Sequence, residues 1–385
     1  MHTIQGIDMI GLFRISLKIL ISDRGKFSSL IVGISIAVFL MMQVTAIFSG
    51  VFHRLASNII NVGATVWVMD PDINMQENHI PMQNYMLDAV KSIRGVKYAA
   101  PLIINVQLMK LMNGHHQIVE VIGLDDMSLL GRPAMAAGNI KMIYNTNAYI
   151  GIENAEYEKL NNPVIGTTFE IDQHPGIIAG LGMKPVVGLY GMPTLYTTYS
   201  RAAAFLPLHS TLSYVLVEPK SREDIPYIKT RVQALGYLAL TQQEFIDRNT
   251  SYYLFKTGIG TNLWILKVIC FVIGLSVAGQ TFYMFILENL TLFGALKAMG
   301  AKKNELISII LFQSLMTGTI GYGVGVLASS LFTTFAIFNL PNYTGLITYE
   351  SMILSLCMVL IIIAFTSYLG IQKVTQIEPY DIFRS

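Results

Sequence analysis

The chain has 385 residues, 53% of them hydrophobic and 13% charged, with a mean hydropathy of +0.52. A soluble domain carries about 25% charged residues, so the composition points to a membrane, and the net charge of +2 excludes a strongly basic nucleic-acid binder. Both cysteines, Cys270 and Cys357, stand in apolar runs, which argues against a disulfide framework or a thiol metal site.

Residues 1–26 read as a cytoplasmic or interfacial amphipathic helix. In "IDMIGLFRISLKILIS" the residues Asp8, Gly11, Arg14, Lys18 and Ser22 recur three or four apart, with apolar residues between them. Such a narrow polar stripe suits a helix lying in the membrane interface; the plainer alternative is an extension of the first span into the cytoplasm. Phe27–Phe52 carries no charged side chain over 26 residues. At about 1.5 Å per residue that run reaches about 39 Å, more than a hydrocarbon core of about 30 Å. It is too long, and starts too far into the chain, for a signal-peptide h-region, and is expected to be an uncleaved anchor over 27–52.

Three further spans are expected, over 262–287, 306–338 and 351–372, so the fold class is an α-helical membrane protein with four transmembrane helices and a mixed α/β extracytoplasmic domain. Val268–Leu287 is charge-free, and from Leu306 to Gln372 the only charged residue is Glu350. The polar, Pro-containing stretch 339–350 divides that last region as an outer loop. Lysine and arginine near the span ends set orientation. Arg14, Lys18, Arg24 and Lys26, then Lys297, Lys302 and Lys303, then Lys373 and Arg384 all fall on one side of a four-span layout. That side is expected to be cytoplasmic, with both termini (1–26 and the tail 373–385) and the loop 288–305.

Residues 53–261 then lie outside. They hold 16 Lys plus Arg and 17 Asp plus Glu, which does not oppose translocation. "GATVWVM" (63–69), "YAAPLIINVQLMKLM" (98–112), "HQIVEVIGL" (116–124), "GTTFEI" (166–171), "STLSYVLVEP" (210–219) and "YLALT" (237–241) read as strands. Helices are expected over Pro81–Gly95, in "NAEYEKL" (154–160), and after Ser221, an N-cap with acidic residues following and Ile225, Ile228, Val232 and Leu235 on one face. Strand–helix–strand order at both ends suggests βαβ units, with a more β-rich second lobe between them.

Small residues punctuate the spans at helical spacing: Ser29, Gly33 and Ala37 in the first, Gly274 and Ala278 in the second, Gly321 and Gly325 in the third. Small residues let helix backbones approach in lipid, so Gly33, Ala37, Gly274, Ala278, Gly321 and Gly325 are expected packing positions; glycine is also simply frequent in spans.

No P-loop, no G-x-S-x-G elbow and no H-E-x-x-H helix occurs. The adjacent His115 and His116 point in different directions on any regular element and read as a solvated turn. Lys267 and Glu350 lie at span edges, where Lys267 either snorkels or pairs with Glu350; a secondary transporter would want such a group at mid-membrane. No catalytic residue, metal or cofactor is expected, and no energy source is visible in the spans themselves.

The segment "TLFGALKAMGAKKNELI" (291–307) combines strong helix formers, Gly300 as a stop and two adjacent lysines. It reads as a short helical knob for a soluble partner, or as a basic loop meeting anionic lipid. Gly294, Leu296, Lys297, Ala298, Met299, Gly300 and Ala301 resemble in register the "E-I-G-[IL]-L-[KR]-A-[LM]-G-A" signature of the FtsX and MacB superfamily of ABC transporter permeases. The tail "IEPYDIFR", the first span "RGKFSSLIVGISIAV" and "SIRGVKYAAPL" are similar to other elements of that family, and "EFIDRNTSYYLFKTGIG" is similar to its heterocyst-exporter, DevC-like branch. Leu292 stands where the family has Glu. The resemblance implies a MacB-like periplasmic core domain and a non-catalytic permease of the bacterial inner membrane. It also implies a second permease copy, and a separate ABC ATPase docking on Gly294, Leu296, Lys297, Ala298, Met299, Gly300, Lys302 and Lys303. By mechanotransmission, ATP-driven closing would tilt the spans and move the outer domains, together with a periplasmic adaptor and an outer-membrane channel. The alternatives are a transmembrane regulator of a cell-wall hydrolase, as FtsX is, a lipoprotein-releasing permease, and, without supporting residues, a membrane enzyme.

Overall fold

The computed structural model describes residues 9–22, 24–78, 80–153, 155–184, 186–189, 191–204, 211–340 and 343–376. The helices are α1 (Met9–Ser22), α2 (Arg24–Leu55), α3 (Ser57–Val62), α4 (Tyr85–Lys91), α5 (Tyr199–Ala204), α6 (Ile225–Ala234), α7 (Gln242–Lys256), α8 (Gly258–Glu288), α9 (Leu290–Ala298), α10 (Lys303–Asn339) and α11 (Tyr349–Gln376). The strands are β1 (Val66–Met69), β2 (Met82–Gln83), β3 (Val96–Lys110), β4 (His116–Leu124), β5 (Ala134–Ala137), β6 (Ala148–Ile152), β7 (Thr168–Ile171), β8 (His174–Met183), β9 (Thr194–Thr198), β10 (Thr211–Leu212), β11 (Tyr214–Pro219) and β12 (Leu238–Thr241). The chain divides into two compact units: one built from residues up to Gly50 and from Asn262 onward, the other Val51–Thr261.

In the first unit α2, α8, α10 and α11 are each long and apolar enough to cross a membrane. A helix satisfies its backbone polar groups internally, which a lipid-exposed segment must do. The register of contacts fixes the bundle. Ser35 Oγ donates to Gly321 O (3.2 Å) and Gln43 Nε2 to Ser329 Oγ (2.8 Å). These two pairs advance equally along α2 and α10, so the two run parallel. The close approaches of Gly33 to Thr281 and of Ala37 to Gly274 run in opposite senses along α2 and α8, which makes that pair antiparallel. α11 runs against α10: Tyr322 hydroxyl donates to Met352 O (3.0 Å) and Ser367 Oγ meets Ser314 Oγ (2.7 Å). The α10–α11 loop doubles back over α2, where Leu346 N donates to Ala46 O (2.9 Å). Gly50 makes this possible, since a Cβ there would coincide with the Thr344 carbonyl. At the opposite end of the bundle, Leu20 of α1, Phe293 of α9, Leu306 of α10 and Val374 of α11 join one apolar core.

In the second unit four strands lie in the order β12-β1-β11-β3, all antiparallel to their neighbours. β1 and β3 are joined through α4, and β11 and β12 through α6. Each βαβ unit is therefore split by a strand of the other, the arrangement of a βαββαβ sheet. The central strands are buried on both sides, which explains the unbroken apolar runs "VWVM" and "YVLV". One side of the sheet packs on Met86 and Val90 of α4 and Ile228 and Val232 of α6. On the other side Trp67 meets Tyr214 (centroids 5.3 Å) and Phe245 of α7 (5.5 Å), with Ile59 and Val62 of α3 beside them.

The second lobe is inserted between β3 and β11. β3 is 15 residues long and pairs with β11 at its first half and β4 at its second; β9, β6, β8 and β5 follow, and β7 bridges β3 and β8. Two expectations change. The helix predicted from Pro81 begins only at Tyr85, because Met82 and Gln83 pair as strand β2 with β10. "AEYEKL" is a 3-10 turn (Ala155–Leu160) rather than an α-helix. The tail "IEPYDIFR" and Asp8 lie outside the described residues.

Candidate functional site

The segment 290–306 forms a helix, a defined stop and a second helix start. α9 ends in a Schellman arrangement: Gly300 N donates to Lys297 O (3.0 Å) and Ala301 N to Leu296 O (3.0 Å), with Gly300 at φ +97°. The next helix starts at once, because Glu305 accepts from the Lys302 N–H at 2.8 Å. Helix, reversal and helix are thus held by backbone geometry and one carboxylate.

α9 has two unlike faces. Phe293 and Gly294 are buried, and Leu296 is half-buried against the bundle core. Leu292 (45% exposed), Ala295, Ala298 and Met299 (74%) face outward, and Lys302 and Lys303 are exposed just beyond the turn. Of the eight residues expected to meet a partner, Gly294 and Leu296 point into the bundle and Lys297 is half-buried. Ala298, Met299, Gly300, Lys302 and Lys303 form the outer surface. Beside them Lys26 and Glu288 pair at 3.3 Å, partly exposed, a geometry worth about 0–1 kcal/mol.

Five of the six small residues expected to pack occupy two contacts. Gly33 and Ala37 of α2 face α8: a Cβ on Gly33 would lie 3.0 Å from Thr281 Oγ1, and one on Gly274 3.3 Å from Ala37 Cβ. Gly321 and Gly325 of α10 face α2, where added Cβ atoms would lie 2.6 Å from Ile34 Cγ2 and 2.6 Å from Val38 Cβ. Ala278 lies in the bundle core beside them, and Ser29 is exposed. A void of about 10 Å³, lined in part by Ile34, Val38, Ala278 and Ser314, sits where the four helices meet. Lys267 lies over the Phe48 ring, 3.4 Å from its centroid, and among the described residues makes no ion pair. His115 closes the exposed β3–β4 turn, its carbonyl accepting from Leu111 N, and His116 begins β4.

Sequence reasoning missed the polar interior of the α/β unit. Lys184, 4% exposed, donates to Asn58 Oδ1 (3.3 Å) and Thr194 Oγ1 (3.3 Å), pairs with Glu120 (3.5 Å) and lies over Tyr196. Burial pushes its ammonium below the usual range and Glu120 pulls it back up. Burial pushes the Glu77 carboxyl above the usual carboxylate range, while the Tyr253 hydroxyl bond (2.7 Å) draws it down. These groups line a cavity of about 30 Å³, room for a water or two and too small for a substrate. Glu120 was visible as a polar residue interrupting an apolar strand, but nothing local marks its partners.

A bundle of four apolar helices with a mixed α/β domain inserted after the first, and a rigidly capped short helix between the second and third, is the build of a polytopic membrane permease. Residues 30–235 match the MacB-like periplasmic core domain, and residues 264–379 match the FtsX-like permease C-terminal family. The chain belongs to the FtsX/MacB family of ABC-type permeases, a family of membrane proteins. A relative named for hemin transport, the permease protein HrtB of Staphylococcus haemolyticus, is 24% identical over 149 residues; the match spans 39% of this chain and 40% of that protein's length. The extracellular domain of the ABC-type transporter YknZ from Gram-positive bacteria is similar at 13% identity and TM-score 0.37, covering 46% of this chain and 99% of that one. The periplasmic region of MacB from Actinobacillus actinomycetemcomitans is similar at 12% identity and TM-score 0.38, covering 48% and 92%.

Proposed function

We propose that this chain is the membrane subunit of a bacterial exporter in which a separate ATPase pushes on α9, and the push is carried through the helices to the α/β domain. The observation that carries this reading is the two-faced helix α9. Its inner face is anchored by Phe293 in the bundle core. Its outer face presents Leu292, Ala295, Ala298 and Met299 beside Lys302 and Lys303. An apolar strip rimmed by cations fits a groove on a soluble protein, which would cover the exposed apolar area. The lysine and arginine distribution supports a cytoplasmic position for α9 and both termini, in an inner membrane. Packing of Ser16 on Ile309 and Gln313 supports an interfacial α1: an in-line extension of α2 would carry Ser16 past the start of α10.

ATP can shift the bundle between two packings only by binding one of them more tightly; the glycine contacts along α2 are where repacking is expected. A second copy of this chain, a periplasmic adaptor and an outer-membrane channel complete the proposed assembly. Hemin, from the relative's name, is the first cargo to assay.

The experiment is site-specific photocrosslinking in cells. A photoreactive residue at Met299 or Lys302 is expected to capture an ABC ATPase, and one at Phe293 is not. Capture of lipid only from Met299 and Lys302, with normal expression, refutes the docking role.

A further inference from the structure

The first apolar helix ends within the α/β unit, at Leu55, and α3 begins two residues later, with Ala56 out of helical geometry between them (φ −99°, ψ 13°). A helix break leaves carbonyls at one end and N–H groups at the other without partners, and Ala56 has no side-chain acceptor to offer. Local bonds cross the break from Ala56 N to His53 O and from Ile60 N to Ala56 O, and one further carbonyl and two further N–H groups are satisfied from elsewhere in the chain. Asn249 of α7 donates through Nδ2 to Leu55 O (3.0 Å). Gln76, in the loop after β1, accepts through Oε1 from the N–H groups of Asn58 (3.2 Å) and Ile59 (3.4 Å), the first turn of α3. The two capping amides are themselves joined, since Gln76 N donates to Asn249 Oδ1 (3.0 Å). Asn249 is 0% exposed and Gln76 4%. A turn later on α7, Tyr253 donates to Glu77 Oε2 (2.7 Å).

α7 is the last helix of the α/β unit before α8 begins. The same few side chains therefore hold the segment by which the chain comes in from the first apolar helix and the segment by which it leaves toward the second. We infer that Asn249 and Gln76 form a clamp, a pair of positioning residues that makes these two connections move as one piece, so that displacement of the two apolar helices is delivered to the domain rather than lost by fraying at its base. The Asn249 amide is suited to this because it is donor and acceptor at once: its nitrogen closes one break and its oxygen anchors the residue that closes the other. Buried amides of this kind have no water to fall back on, so losing one partner frees the whole set. The clamp's role in transport rests on the function proposed above; its role as a fastening does not.

The test is amide exchange on the full chain in lipid nanodiscs, comparing the native protein with Asn249→Leu, which keeps the branched outline of the side chain and removes both bonds. Exchange over 55–62 and 245–253 is expected to rise together by about tenfold, with the β3 amides of 96–104 unchanged. A rise in only one of the two segments, or in neither, overturns the clamp. Should Asn249→Leu fail to fold, Tyr253→Phe removes the hydroxyl bond to Glu77 at the outer end of the network, and a smaller rise, about two- to threefold, shared by both segments is expected; a rise in 245–253 alone overturns it. The functional arm adds the ATPase with ATP and vanadate. The native complex is expected to show nucleotide-dependent exchange in the α/β domain. Asn249→Leu is expected to keep ATP hydrolysis and lose that response, an uncoupling that simple destabilisation would not produce. A response that survives in the variant refutes the coupling role. Absence of any response in the native complex counts against the proposed function and leaves the clamp to be judged on the exchange of the isolated chain.

Discussion

Gly323 and Gly325 of "GYGVG" on α10 provide an internal contrast. Replacing Gly325 by alanine places a Cβ 2.6 Å from Val38 Cβ and 2.9 Å from Ser35 O. Carbon atoms rest at about 3.5–4.0 Å, so the new atom is about 1 Å too close. Neither neighbour can swing aside, because one is the branch atom of a valine and the other is backbone. α2 and α10 must part by about that distance, which stretches the Ser35 Oγ–Gly321 O bond from 3.2 Å past the limit of about 3.2–3.5 Å. Overpacking of this kind costs about 1–3 kcal/mol. Gly323, two residues earlier and so on a different face, has nothing within 4 Å of its added Cβ, and alanine there gains helix propensity of up to about 1 kcal/mol. Gly33→Ala meets only the rotatable end of Thr281 and is expected to fall between them. Unfolding of the purified chain in mixed micelles, followed by helical circular dichroism as the denaturing detergent fraction rises, ranks the three variants. Equal midpoints for Gly323→Ala and Gly325→Ala would refute the assigned register of α2 against α10.

Gly300→Val puts a β-branched residue at φ +97° and is expected to abolish stimulation of the ATPase with membrane insertion intact; normal stimulation would show that the α9 stop is dispensable. Lys184→Met leaves the Glu120 carboxylate without its cation and is expected to cost about 3–5 kcal/mol, most of it recovered in the double variant with Glu120→Gln; simple additivity in denaturant unfolding would refute the pairing. Glu77 is held above the usual carboxylate range, so between its ordinary and raised values the folded chain keeps a proton the unfolded chain has lost. Stability should therefore fall as pH rises through that window and stay lower above it. Glu77→Gln should remove that fall and stabilise the chain at neutral pH, and an unchanged pH profile would contradict the shift.

The spans were legible because an uncharged run such as Phe27–Phe52 has one stable form in lipid. The α9 stop was legible because a left-handed turn after a short helix calls for the glycine found at 300. Other features resist a local reading for identifiable reasons. β2 is two residues whose pairing partner lies far along the chain. β8, "HPGIIAGLGM", has glycines where a strand would be expected to carry branched side chains, and the structure shows why: Phe169 lies over Gly176, and Met135 Cε and Ile150 Cδ1 come within about 3 Å of a Cβ position on Gly180. Asn249 reads as one polar residue in a polar helix. Its value comes from Leu55 and Gln76, 194 and 173 positions away.

The second lobe leaves the four-strand half of the sheet along β3 and returns by β11, neighbours that pair from Val96–Pro219 to Leu102–Tyr214. The βαββαβ half already contains both of its helices and all four of its strands without that excursion. Evolution could lengthen, trim or exchange this appendage, altering what it meets, while the four-strand half that the chain enters from α2 and leaves toward α8 stays unaltered.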